Sequence, residues 1–177
     1  PVNSYDESVI AYESSVHMAD ESVRQLISYF ETVDEPTVVL FFGDHEPRLS
    51  NEFYSSWFTD ENELDLETTA QLHKTPFFIW GNYNLNTESI QKGSVVSLNY
   101  LSTVLFQTAG VQLSPYQEYL ADLRMEHPVI TARYFTTAFG DRVGTVPSAF
   151  TDSIREYQWL QYNCVFDRAH RIPGFYS

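Results

Sequence analysis

Residues 38–50 read VVLFFGDHEPRLS: five apolar residues run into Gly43, an acid and an imidazole follow side by side at Asp44 and His45, and Pro47 comes two residues later. A carboxylate oxygen of Asp44 and a neutral ring nitrogen of His45 are both good ligands for Zn²⁺ or Mn²⁺. A bound cation would also offset the cost of taking the carboxylate out of water. Gly43 lets the backbone turn so that two neighbours point into one site, where a regular strand sends them to opposite faces. The bland alternative is an aspartate that caps a turn. Two ligands also fall short of the roughly three that a catalytic site uses beside its open position, or the roughly four of a closed site. Arg48 follows GDHEP directly and suits bidentate binding of phosphate or sulfate; its alternative is a surface ion pair with Glu46 or Glu52.

The other polar residues carry less. His17 lies beside the apolar face of an amphipathic stretch and reads as a packed or boundary histidine. Asp20, among the same residues, reads as a helix-to-loop hydrogen bonder. His73 precedes a second apolar run, at the amino end of what would be a parallel strand, and so points away from the site. His127 and His170 fall near a helix end and in the tail, with no partner ligand evident. Trp57, Trp80 and Trp159 invite a carbohydrate-stacking reading, but aromatics inside apolar runs are better explained by core packing.

Elements must hold the Asp44–His45 pair in place. From Ser8 to about Glu31, Tyr12, Val16, Ala19, Val23, Leu26, Ile27 and Phe30 recur at three- and four-residue steps, one face of an amphipathic helix that Asp34-Glu35-Pro36 ends. TVVLFF then lacks polar alternation, as a strand buried on both faces of a parallel sheet does. The order repeats: residues 62–73 form a short helix, and FFIWG after Thr75-Pro76 forms a second buried strand. Ser97 is placed as N-cap of LNYLSTVLFQTAG with Gly110 as its stop, and Pro115 opens a further helix, PYQEYLADLRMEH. VITARYFTTAF, with Gly140 and Gly144 as turns, reads as a hairpin-like excursion. Thr151 or Asp152 caps a closing helix to Phe166, and residues from about 168 to 177 form a flexible tail.

At 177 residues with 43% apolar content the chain fits a single globular domain. The lone Cys164 excludes an internal disulfide and a thiolate zinc cage. A net charge of −14 excludes a nucleic-acid backbone as partner and suits divalent cations. There is no run of 18 apolar residues and no signal peptide, so membrane contact by this segment is not expected.

Taken together, SVHMAD in a helix, EPTVVLFFGDHEP, KTPFFIWGNY, SLNYLSTVLFQTAG, SPYQEYL and LQYNCVFD resemble the C-terminal part of the lipoteichoic acid synthase-like branch of the sulfatase and alkaline phosphatase superfamily. The resemblance runs along nearly the whole chain. It implies an α/β fold, the C-terminal portion of a sandwich with a mostly parallel central sheet flanked by helices. It implies a metal role for Asp44 and His45, with Mn²⁺ first and Zn²⁺, Mg²⁺ or Ca²⁺ as alternatives. The Thr, Ser or modified Cys nucleophile, an acidic ligand and a substrate-side His are expected upstream, so no catalytic nucleophile lies in this chain. The implied partners are the upstream half of the same polypeptide and a glycerophosphate lipid or polymer, outside a bacterial membrane in which the parent is anchored. The implied reaction is phosphoglycerol transfer. Sulfate or phosphate ester hydrolysis is the alternative within the same chemistry, and a non-catalytic binding module is the alternative outside it. The chain by itself is expected to bind metal weakly and to turn over neither ester.

Overall fold

The computed structural model describes residues 7–47, 49, 53 and 70–176. It is a mixed α/β structure whose elements fall into two compact units, residues 1–84 and 85–177. Among the described residues no helix is long and apolar enough to cross a membrane.

The first unit contains helix α1 (Glu7–Phe30) and strands β1 (Val38–Phe42) and β2 (Phe77–Gly81). Helix α1 follows its amphipathic pattern, but none of its residues is buried. Ile10, Tyr12, Val16 and Leu26 keep much of their apolar surface exposed, and His17 is exposed rather than packed. Of the expected helix over 62–73, residues 70–72 are helical and the rest lies outside the described residues.

The two strands pair antiparallel, Val38 opposite Gly81 through Phe42 opposite Phe77. The parallel pairing expected from the sequence is therefore not what joins them. Both strands are half-buried rather than covered on two faces, and Phe42 is exposed. An uninterrupted apolar run says that a strand has apolar neighbours on both faces; it does not say which way its partner runs. Phe41 stacks on Phe78 across the ladder at 5.3 Å between ring centres.

Asn82, one residue past β2, ties this unit together. Its side-chain amide nitrogen lies 3.2, 2.8 and 3.0 Å from the carbonyls of Phe30, Val33 and Glu35. Its Oδ1 accepts from the N–H of Thr37 at 2.8 Å. One side chain thus serves the carbonyls left over at the end of α1 and the entry to β1.

The second unit holds α2 (Leu98–Ala109), α3 (Pro115–Glu126), the hairpin β3 (Tyr134–Thr136) and β4 (Arg142–Gly144), and α4 (Asp152–Val165). Gly110 ends α2 at φ 74°, a left-handed conformation that glycine adopts without a Cβ clash. The N–H groups of Gly110 and Val111 then bond back to the carbonyls of Gln107 and Phe106, which satisfies the last turn. Ser97 stands at the N-cap of α2, yet its hydroxyl donates to Asn99 at 2.6 Å and accepts from Ile130 N–H at 3.1 Å instead of capping. Ser114 and Gln117 form a reciprocal capping box on α3, and Thr151 caps α4 by accepting from Ile154 N–H. Tyr100, Leu120, Leu123 and Tyr157 make the core of this unit.

The last residues pack where the composition suggests a free tail. Tyr116 N–H donates to Phe175 O at 2.9 Å, and Tyr176 OH donates to Leu160 O at 3.1 Å and lies 2.9 Å from Asn163 Oδ1. Trp159 goes the other way: expected in the core, it is 72% exposed on α4. Trp57 lies outside the described residues.

Candidate functional site

Asp44 and His45 follow β1 directly, with Gly43 between strand and pair. The backbone there is pinned one peptide at a time. Gly43 N–H donates to Pro76 O at 3.0 Å, Thr75 Oγ1 donates to Gly43 O at 2.7 Å, and His45 N–H donates to Asp44 Oδ1 at 2.9 Å. Gly43 does not have the positive φ of a sharp glycine turn. Its lack of a side chain is needed for closeness: a Cβ there would stand 2.9 Å from Thr75 Cβ, too near for two carbons. The sequence points to a glycine before the pair, but its reason is the approach of the neighbouring strand.

The two side chains turn toward one another, so the pair is not split between opposite faces. His45 Nε2 lies 3.6 Å from Asp44 Oδ2, and both side chains are 79% exposed. His45 Nδ1 is 3.0 Å from the carbonyl of Glu46. A carbonyl only accepts, so Nδ1 donates in this contact, and Nε2 offers a lone pair whenever the ring is neutral. Metal-binding histidines are set in this way, with the distal N–H given to a carbonyl or carboxylate. A tetrahedral ion with bonds of about 2.1 Å holds two donors roughly 3.4 Å apart. The donor types and their separation therefore fit two ligands of a divalent cation. Among the described residues no group of three or more His, Cys, Asp or Glu gathers to hold one.

Arg48 lies outside the described residues. His73 is exposed, but the reason given for setting it apart fails. With β1 and β2 antiparallel, the start of β2 lies beside the end of β1, which brings the His73–Lys74 turn, Thr75 and Pro76 to the same sheet end as Asp44 and His45. Thr75, which the sequence sets aside as a residue at a strand beginning, meets Gly43 at this sheet end. Its only signal was the Thr-Pro that opens a strand, and nothing in the sequence says which strand end that threonine meets.

In the second unit His127 is buried and fully engaged. Nδ1 is 2.8 Å from Thr136 O, while Nε2 is 3.1 Å from both Thr151 Oγ1 and Ser153 Oγ. Ser153 gives its proton to Glu126 Oε1 at 2.8 Å, and the Thr151 hydroxyl lies within bonding distance of both Nε2, at 3.1 Å, and Ser153 Oγ, at 2.9 Å. His170 pairs with Asp167 at 2.6 Å on the surface.

The Sulfatase family profile matches residues 3–111, a span that contains the whole described sheet end. A "Putative cyclic beta-1,2-glucan modification protein" of Rhizobium meliloti (strain 1021) is 25% identical over 183 residues. That match covers 97% of this chain and 28% of the relative, so the chain spans less than a third of the relative's length. No solved structure matches it at a significant level. Because the profile covers more than half of the sequence and includes the strand, glycine and acid-histidine pair described above, the chain belongs to the sulfatase family.

Proposed function

We propose that this chain supplies two metal ligands, Asp44 and His45, to the active site of a phosphoglycerol transferase of the lipoteichoic acid synthase-like kind. The observation that carries the reading is the fixed His45 ring, with Nδ1 committed to Glu46 O and Nε2 beside Asp44 Oδ2. A divalent ion, Mn²⁺ in the first instance, would neutralise charge on the transferred phosphoryl group and lower the pKa of a bound hydroxyl. Asp44 contributes the negative charge that holds such an ion, and His45 contributes a neutral donor whose ring cannot swing while Glu46 O binds it. The nucleophile and the remaining ligands belong to the upstream part of the polypeptide. The exposed apolar side of α1, with Ile10, Val16 and Leu26, supports further chain covering it. The parent acts at the outer face of a bacterial membrane, where its donor is a glycerophosphate lipid or polymer. The Rhizobium meliloti relative is described as acting in cyclic beta-1,2-glucan modification, and in our reading a glucan is the acceptor.

Ester hydrolysis is the second reading, favoured by the family's own name. The test is an assay of the full-length protein with added Mn²⁺ on a glycerophosphate-headgroup lipid, with and without glucan acceptor, and on an aryl sulfate. Outer-shell changes at metal sites cost about 10–100-fold, so Asp44→Ala and His45→Ala, which remove ligands outright, are expected to lower turnover by more than that. Glucan-dependent release of diacylglycerol supports the transferase, and aryl sulfate turnover alone supports the hydrolase. Full activity of both variants would mean that GDHEP is only a turn, and no metal-dependent turnover on any substrate would favour a binding module.

A further inference from the structure

We propose that Thr75 is a positioning residue for the Asp44–His45 pair, setting the affinity of the site for its divalent ion through the backbone of Gly43. This rests on the metal reading of that pair. The argument starts from exposure: with both side chains 79% exposed, no packing fixes the two donors, so their placement depends on the backbone that carries them. The Gly43 carbonyl and the Asp44 N–H belong to one planar peptide unit. The 2.7 Å bond from Thr75 Oγ1 to that carbonyl therefore orients the plane from which the Asp44 side chain departs. The preceding peptide is held by Gly43 N–H on Pro76 O at 3.0 Å, and the following one by His45 N–H on Asp44 Oδ1 at 2.9 Å. Three successive peptides are thus hydrogen-bonded, and Thr75, two residues before β2, is the one side chain from across the sheet end among those bonds.

The contact is also sterically specific. Thr75 Cβ and Cγ2 lie where a Cβ on Gly43 would come within 2.9 and 3.3 Å. Threonine fills the space that glycine leaves and directs its hydroxyl at the carbonyl. Valine keeps that shape and loses the donor, whereas serine keeps the donor and loses the methyl.

The experiment measures Mn²⁺ affinity in the full-length protein by electron paramagnetic resonance of the free ion, alongside the melting temperature of the metal-free form. Thr75→Val is expected to weaken Mn²⁺ binding by about 10-fold or more, the range for residues that orient metal ligands, while Thr75→Ser stays within about threefold of the parent. A merely structural role would lower the metal-free melting temperature without this split between valine and serine. Gly43→Ala approaches the contact from the other side and is expected to weaken binding with the hydroxyl still present, which keeps the test open if the valine variant does not fold. Unchanged affinity in Thr75→Val or Gly43→Ala, with affinity lost in Asp44→Ala, overturns the role of Thr75 and leaves the metal reading standing. Unchanged affinity in Asp44→Ala overturns both.

Discussion

The chain contains two acid-histidine dipeptides, Asp44-His45 and Glu126-His127, and the structure puts them to opposite uses. In both, the carboxylate approaches the ring at similar range, 3.6 Å for the first pair and 3.3 Å for the second. His127 is 2% exposed and spends both ring nitrogens on the protein, joining the end of α3 to the hairpin and to the cap of α4. His45 spends one nitrogen on its own chain and turns the other to solvent beside a carboxylate. A buried imidazole must find partners for both nitrogens or carry an unsatisfied polar group. An exposed one is free to keep a lone pair for a ligand. The dipeptide alone does not decide how its imidazole is used; burial and the partners of the second ring nitrogen do.

The contrast is broken most directly by comparing stability with activity across the two pairs. Asp44→Ala and His45→Ala, expected to cost the full-length protein more than a hundredfold in turnover, should change unfolding free energy by less than about 0.5 kcal/mol, as exposed substitutions do. His127→Ala should do the reverse. It removes the ring's bond to Thr136 O and its contacts to the Thr151 and Ser153 hydroxyls and opens a cavity, at a cost of about 3 kcal/mol in urea unfolding. A His127 variant as stable as the parent would remove the basis of the comparison.

Alkaline pH sharpens it further. Burial raises the pKa of Tyr100, Tyr116, Tyr119 and Tyr157 in the second unit, that of Tyr119 to about 12. The unfolded chain ionises its tyrosines near pH 10 and so releases protons that the folded chain retains. Stability from these groups is whole below about pH 10 and falls as the pH climbs toward the folded values. Tyr100 also donates to His127 O at 2.9 Å, so its ionisation removes a bond that the buried histidine segment uses. Part of the tyrosinate absorbance, that of these four side chains, should lag behind free tyrosine and appear together with loss of helical circular dichroism; ionisation of all 12 tyrosines at pH 10 with the fold retained would contradict the burial. The smallest effect is expected at Ser153→Ala, about 1 kcal/mol in urea unfolding, since it removes an exposed hydroxyl bond to Glu126 and the hydroxyl's contacts to His127 and Thr151, both of which keep other partners.

Helices were legible because their signals are local. The apolar steps of 7–30, Gly110 after α2, Pro115 after Ser114 and Thr151 before α4 act within a turn or two, and the structure keeps each element they mark. Even so, Ser97 stands at its N-cap with its hydroxyl used elsewhere, because Asn99 and Ile130 compete for it. Trp159 sits in YQWLQYN, which reads as an apolar run, yet helical periodicity turns it outward. The tail looked free because its sequence is basic and broken by Pro-Gly. What ties it down is Tyr116 and Asn163, residues remote in sequence.

By itself the sequence determined that a strand ends in Gly-Asp-His, that acid and imidazole are adjacent, and that helices flank the strand, because these depend on residue order and short-range pattern. Only the tertiary structure decided the direction of β2. With it came the identity of the residue that meets Gly43, the side of the sheet end on which His73 and Lys74 fall, and the fate of each histidine's second nitrogen. Strand pairing and side-chain hydrogen bonds join groups up to 52 residues apart here, and nothing local in the chain encodes which distant partner each group meets.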